Sequence, residues 1–194
     1  MRPRLAKAVL ALTASLSLPL AAAPAHAGSA TPHPAGQEQP AHAGPTTPDP
    51  VLLGQLARTY EATAKYGYLP NALADGYRAH MCLARDQGGM GYHYFNESRF
   101  GSLDPAKPAG LLYEDDGNGG RRLVGVEWVV PTADAQGKRP QIFGQDFQGP
   151  MAGHYPGMPR HYDLHAWLYK PNRNGLFAQW NPDVTCPSSD MPKA

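Results

Sequence analysis

The stretch Leu123-Val124-Gly125-Val126-Glu127-Trp128-Val129-Val130 decides the fold. Its β-branched and aromatic residues alternate with period two, as a strand requires. The alternation predicts Val124, Val126, Trp128 and Val130 on one face and Leu123, Gly125, Glu127 and Val129 on the other. Just upstream, Asp115-Asp116-Gly117-Asn118-Gly119-Gly120 is dense in residues that tolerate positive φ and predicts a hairpin connection back to a strand at Leu111–Tyr113. Gly91–Asn96 before it, and Gln141–Phe147 and His161–Tyr169 after it, bring the expected set to about five strands.

The N-terminal part of the same domain reads differently. Asp49-Pro50 followed by Val51, Leu52, Leu53, Leu56, Tyr60 and Ala64 has helical spacing with proline in the first turn, ending at Lys65-Tyr66-Gly67. Pro70 opens a second helix through Leu73 and Tyr77. Helices first and strands later predict an α+β fold: N-terminal helices packed on a mainly antiparallel, barrel-like sheet.

Outside this unit the chain has other signals. Arg2, Arg4 and Lys7 precede an apolar run from Ala8 to Ala23, and Ala25-His26-Ala27 offers small residues for cleavage, so 1–27 reads as a signal peptide and the protein as secreted. Residues 28–50 are a Pro/Ala/Gly-rich leader with too few large hydrophobes to offset ordering entropy. A single domain is expected over 51–187, with a flexible tail at 188–194. The chain carries 17 Lys+Arg against 16 Asp+Glu; without the three basic residues of the signal the balance is 14 against 16, or −2. There is no basic stripe for nucleic acid, and beyond the signal run no apolar or basic amphipathic segment for stable membrane insertion. The oligomeric state is not legible. The two cysteines, Cys82 and Cys186, are most simply a disulfide in an oxidising compartment, closing a loop of about 100 residues worth roughly 4–5 kcal/mol in the chain-entropy view.

The chemistry lies on the strands. Glu127 is flanked by aliphatic residues, and a carboxylate there is expensive to bury unless paired, protonated or bound to metal. One face of His161–Tyr169 carries His161, Asp163, His165, Trp167 and Tyr169, and His93 shares its face with Phe95. Curling the sheet converges His93, Glu127 and His165, with His161 as a fourth candidate ligand, and imidazoles with a carboxylate suit a divalent metal such as Zn, Fe, Mn or Cu with open positions. Each residue has a structural alternative: His93 hydrogen-bonded in an aromatic cluster, Glu127 paired to Arg78 or Arg122, His161 in water at a strand end.

Met151, His154, Met158 and His161 in a Gly/Pro-rich loop could suit copper, although loop methionines ordinarily pack on neighbours. Asp115-Asp116-Gly117-Asn118 faintly resembles a calcium loop but lacks its twelfth-position Glu. Asn96-Glu97-Ser98 matches a glycosylation acceptor. No Gly-x-Ser-x-Gly and no phosphate-cradling loop is present, so hydrolase and nucleotide-binding readings fall.

Met90-Gly91-Tyr92-His93-Tyr94, Ala72–Tyr77, Leu123–Val130, Leu164-His165-Ala166-Trp167-Leu168 and Asn181–Cys186 together resemble a family of uncharacterised exported bacterial proteins of actinobacterial type. The resemblance runs from Ala62 to Cys186. It implies a Gly-Tyr-His-Tyr, central-Glu and Leu-His-x-Trp pattern falling on His93, Glu127 and His165, with cysteines at Cys82 and Cys186; the position of His161 varies in it. It names no reaction. Two functions stay open: a metal-dependent protein with a His/Glu site in a β-rich cavity, or a non-catalytic module binding a small ligand or partner subunit in an aromatic cavity of Tyr92, Tyr94, Trp128, Trp167 and Trp180.

Overall fold

Asp49 starts the first helix by accepting a hydrogen bond from the Val51 amide at 2.9 Å, and Pro50 occupies the first helical position, where no N–H is needed. The computed structural model describes residues 49–134 and 137–187; the signal sequence, the leader up to residue 48 and the tail from residue 188 lie outside the described residues. Helix α1 spans Pro50–Thr63 and faces the sheet with Leu52, Leu56, Thr59 and Thr63, leaving Val51, Leu53 and Tyr60 exposed. The buried Thr63 hydroxyl is satisfied by the Thr59 carbonyl and by the Tyr169 hydroxyl, each at 2.7 Å.

After a 3₁₀ turn at Ala64–Gly67, helix α2 covers only Leu69–Ala74. Sequence spacing carried it to Tyr77, but Gly76 takes φ +88 and redirects the chain, so Tyr77 drops into the core and donates to the Pro108 carbonyl at 2.8 Å.

Eight strands follow: β1 (Arg78–Arg85), β2 (Gly88–Phe95), β3 (Gly110–Asp115), β4 (Arg121–Pro131), β5 (Gln141–Ile142), β6 (Gln145–Asp146), β7 (Gln148–Met151) and β8 (His161–Ala166). Six of them form one antiparallel sheet in the order β1-β2-β3-β4-β8-β7, curled into a half-barrel. The α+β expectation therefore holds, with β1 and β7 as the edge strands among the described residues. Strand β1 was not anticipated because its register shifts twice against β2 and blurs the two-residue period. The expected strand Gln141–Phe147 is instead the small β5–β6 hairpin, reversing at Phe143 and Gly144, which have φ of +60 and +68. Its Ile142, Phe143 and Phe147 cap Trp128, the Phe143 ring meeting the indole edge-on at 5.0 Å. Strand β8 ends at Ala166, short of the expected Tyr169.

The sheet is buried on both faces. Tyr94, Leu111, Tyr113, Val126, Trp128, Leu164 and Ala166 pack beneath α1, Tyr66 and Ala72. The alternation expected for β4 breaks at one point. Leu112 pairs with Gly125 but Tyr113 pairs with Leu123, so Val124 is an extra, bulged residue. Leu123 consequently joins Tyr113 under the helices, while Val124 packs with Leu112, Trp167 and Val184 on the opposite side. The disulfide Cys82–Cys186 and the paired backbones of Gly89 and Asn181 fasten the C-terminal segment to β1 and β2. Among the described residues no helix is long and apolar enough to cross a membrane.

Candidate metal centre

Register brings the chemistry together on the second face. Glu127 stands between Gly110 of β3 and His165 of β8, Val129 opposite Asp163, and Pro131 opposite His161. On β2, His93 lies opposite Leu112, on the same side of the sheet. Gly110 matters here because a methyl group at that position would lie 2.9 Å from Glu127 Oε2 and 3.0 Å from the Phe95 ring. The missing side chain is the room the carboxylate occupies.

His93, Glu127 and His165 are wholly buried, and their ligand atoms lie within 4.8 Å of one another. His93 Nε2 is 3.6 Å from Glu127 Oε2, and His165 Nε2 is 4.0 Å from Glu127 Oε1. These separations exceed hydrogen-bonding distance. They match donors sharing one ion, which at metal–ligand lengths of about 2.0–2.2 Å stand roughly 3–4 Å apart. Neither oxygen of Glu127 and neither nitrogen of His93 or His165 has a hydrogen-bond partner. A native interior rarely leaves so many polar atoms unsatisfied. The carbonyls of Met81 and Gly91 lie beside His93 and favour its protonated form, but neither makes a well-formed hydrogen bond to the ring.

The arginines considered for Glu127 are engaged elsewhere. Arg122 pairs with Glu114 at 2.6 Å, and Arg78 donates to the Leu73 and Tyr77 carbonyls. His161 is fully buried rather than in water, but it joins a neighbouring group with His154, Asp163 and the shared Glu127. Asp163, which the sequence places on the β8 face but not among the expected ligands, belongs to this group, and the His161/Asp163/His165 alternation is its signal. His154 sits on the loop between β7 and β8, where periodicity assigns no face.

The electrostatics of the cluster favour neutral imidazoles. Burial, then the neighbouring His154 and His165, hold His93 well below its ordinary value. Burial pushes His165 down to about 4 and also lowers His161. Burial and then the nearby Asp163 raise Glu127 well above the usual carboxylate range. Neutral imidazole is the ligating form, and a bound cation would restore the Glu127 carboxylate. These buried His, Glu and Asp groups could hold a metal ion.

Other sequence signals resolve into structure. Met158 is buried with Phe95, Ala109 and Val129, and its sulfur accepts the His154 amide; the Met151 sulfur accepts from Gln179. Asp116 accepts the Asn118 and Gly120 amides, each at 2.8 Å, and Asp115 pairs with Arg121, as a hairpin turn demands. Asn96 is buried, accepting from Ser98 and donating to the Asp75 carbonyl. The aromatic cavity does not form as expected: Tyr92, Tyr94 and Trp128 are core packing under the helices, and Trp167 belongs to the separate Leu112 cluster. Trp180 of that set lines a groove of about 610 Å³ shared with Met90, Met151, Gly153 and His154.

Comparison with models of known protein families, with curated proteins and with solved structures yields no match to this chain.

Proposed function

We propose that this is an exported metalloprotein in which His93, Glu127 and His165 hold a divalent first-row cation. The observation that carries the reading is the set of buried donors from these three residues that face one another without hydrogen-bond partners. Three protein ligands leave coordination positions for water or a small molecule, the arrangement of catalytic zinc and two-histidine, one-carboxylate iron sites. The donors are imidazole and carboxylate, while the Met151 and Met158 sulfurs are engaged in packing, so zinc, iron or manganese fits better than thioether-bound copper. The ion would act as a Lewis acid toward an oxygen-bearing small molecule. The residues of the site would hold and orient it, and the surrounding Phe95, Val129 and Met158 would keep bulk water out. The disulfide fits an oxidising, extracytoplasmic setting.

The test is elemental analysis of untagged protein, as isolated and after chelation and reloading. The expected result is stoichiometric metal that is retained through gel filtration and weakened at least tenfold by His165→Ala. Protein that takes up none of Zn, Fe(II), Mn or Co(II) would overturn the reading.

A further inference from the structure

The three-residue set leaves half of the buried cluster unexplained. His154, His161 and Asp163 form, with Glu127, a second group whose ligand atoms lie within 4.8 Å of one another. His154 Nε2 is 3.6 Å and His161 Nε2 3.9 Å from Asp163 Oδ2, again too long for hydrogen bonds. Both oxygens of Asp163 and the Nε2 atoms of His154 and His161 lack partners. His161 also shows the outer support expected of a ligand. Its Nδ1 lies 3.0 Å from the Pro159 carbonyl, and donation to that oxygen leaves Nε2, on the Asp163 side of the ring, with a free lone pair for a cation. The arrangement has a structural logic: β8 supplies His161 and Asp163 at alternate positions, and the β7–β8 loop folds His154 over them.

Resting on the metal-binding reading above, we infer that the centre is dinuclear: His154, His161 and Asp163 hold a second divalent cation, and Glu127, common to both groups, bridges the pair. Two carboxylates cannot neutralise two dications. The excess positive charge is met by hydroxide or by a small ligand bearing an anionic oxygen. Its approach is the groove bordered by Met90, Met151 and Trp180, because His154 is the one ligand exposed there, with 14% of its side chain accessible.

The test titrates Mn(II) into chelated wild-type protein and follows bound metal and the electron paramagnetic resonance spectrum. Two ions per chain are expected, with the six-line signal of the first equivalent replaced by a spin-coupled signal at the second. Asp163→Asn and His161→Ala should each bind one ion, as should His93→Ala, all without the coupled signal. Thermal melts check that each variant is folded. Wild type saturating at one ion with an uncoupled spectrum, unchanged in Asp163→Asn, would overturn the second site and leave the first standing. No uptake of any metal would overturn both.

Discussion

A cluster built for cations should weaken the protein that lacks them. A buried polar group without a partner costs about 1–3 kcal/mol, so His93, Glu127 and His165 together cost the metal-stripped protein about 3–9 kcal/mol. Total stability of a domain is only about 5–15 kcal/mol. With about 2.1 cal/mol/K of unfolding entropy per residue, some 140 residues give about 0.3 kcal/mol/K, and the melting temperature should fall by about 10–30 °C on chelation. The sharper form of the prediction is a substitution that raises stability while removing function. Glu127→Met replaces the orphaned carboxyl with an adaptable apolar chain of similar reach. It should melt about 3–10 °C above stripped wild type, from the 1–3 kcal/mol relieved, yet gain far less than wild type when metal is returned. Differential scanning calorimetry of both proteins, stripped and reloaded, measures all four values. If reloading leaves wild type unchanged, or if Glu127→Met melts below stripped wild type, Glu127 is satisfied by the protein itself and the reasoning fails.

Three further outcomes are expected. Reducing Cys82–Cys186, 104 residues apart, should cost roughly 4–5 kcal/mol and lower the melting temperature by about 15 °C; labelling of either cysteine in native, unreduced protein would contradict the bond. Gly110→Ala should weaken metal binding about 10–100-fold by crowding the Glu127 carboxylate, and unchanged affinity would show that the cradle is irrelevant. In stripped Glu127→Met, where the opposing titration of Glu127 is gone, stability should be constant above pH 6.5 and fall toward pH 4. His165 has its folded value depressed to about 4, so the unfolded chain takes the proton first, a loss of about 3 kcal/mol from this residue alone, to which the similarly depressed His93 and His161 add; a flat melting profile between those pH values would contradict buried neutral imidazoles.

Local pattern alone determined much of this protein. The proline and capping aspartate at the start of α1, the glycine-rich turn after β3 and the period of β4 and β8 are each set by residues within a few positions of one another. The same two-residue period aligned Glu127 with its aliphatic neighbours and His161, Asp163 and His165 with each other, and so made a His/Glu convergence legible before any fold was known. Tertiary structure decided the rest, where long-range contact overrides period. The Val124 bulge exchanges the faces of Leu123 and Val124 because β3 and β4 must both curl around the helical layer and the buried site. The β5–β6 hairpin exists to cover Trp128, a need that no residue within 141–147 announces. Whether Glu127 met an arginine or imidazoles depended on where Arg122 found Glu114. His154 lies on a loop without periodicity, and only the folding of that loop over β8 brings its ring within 4.9 Å of that of His161.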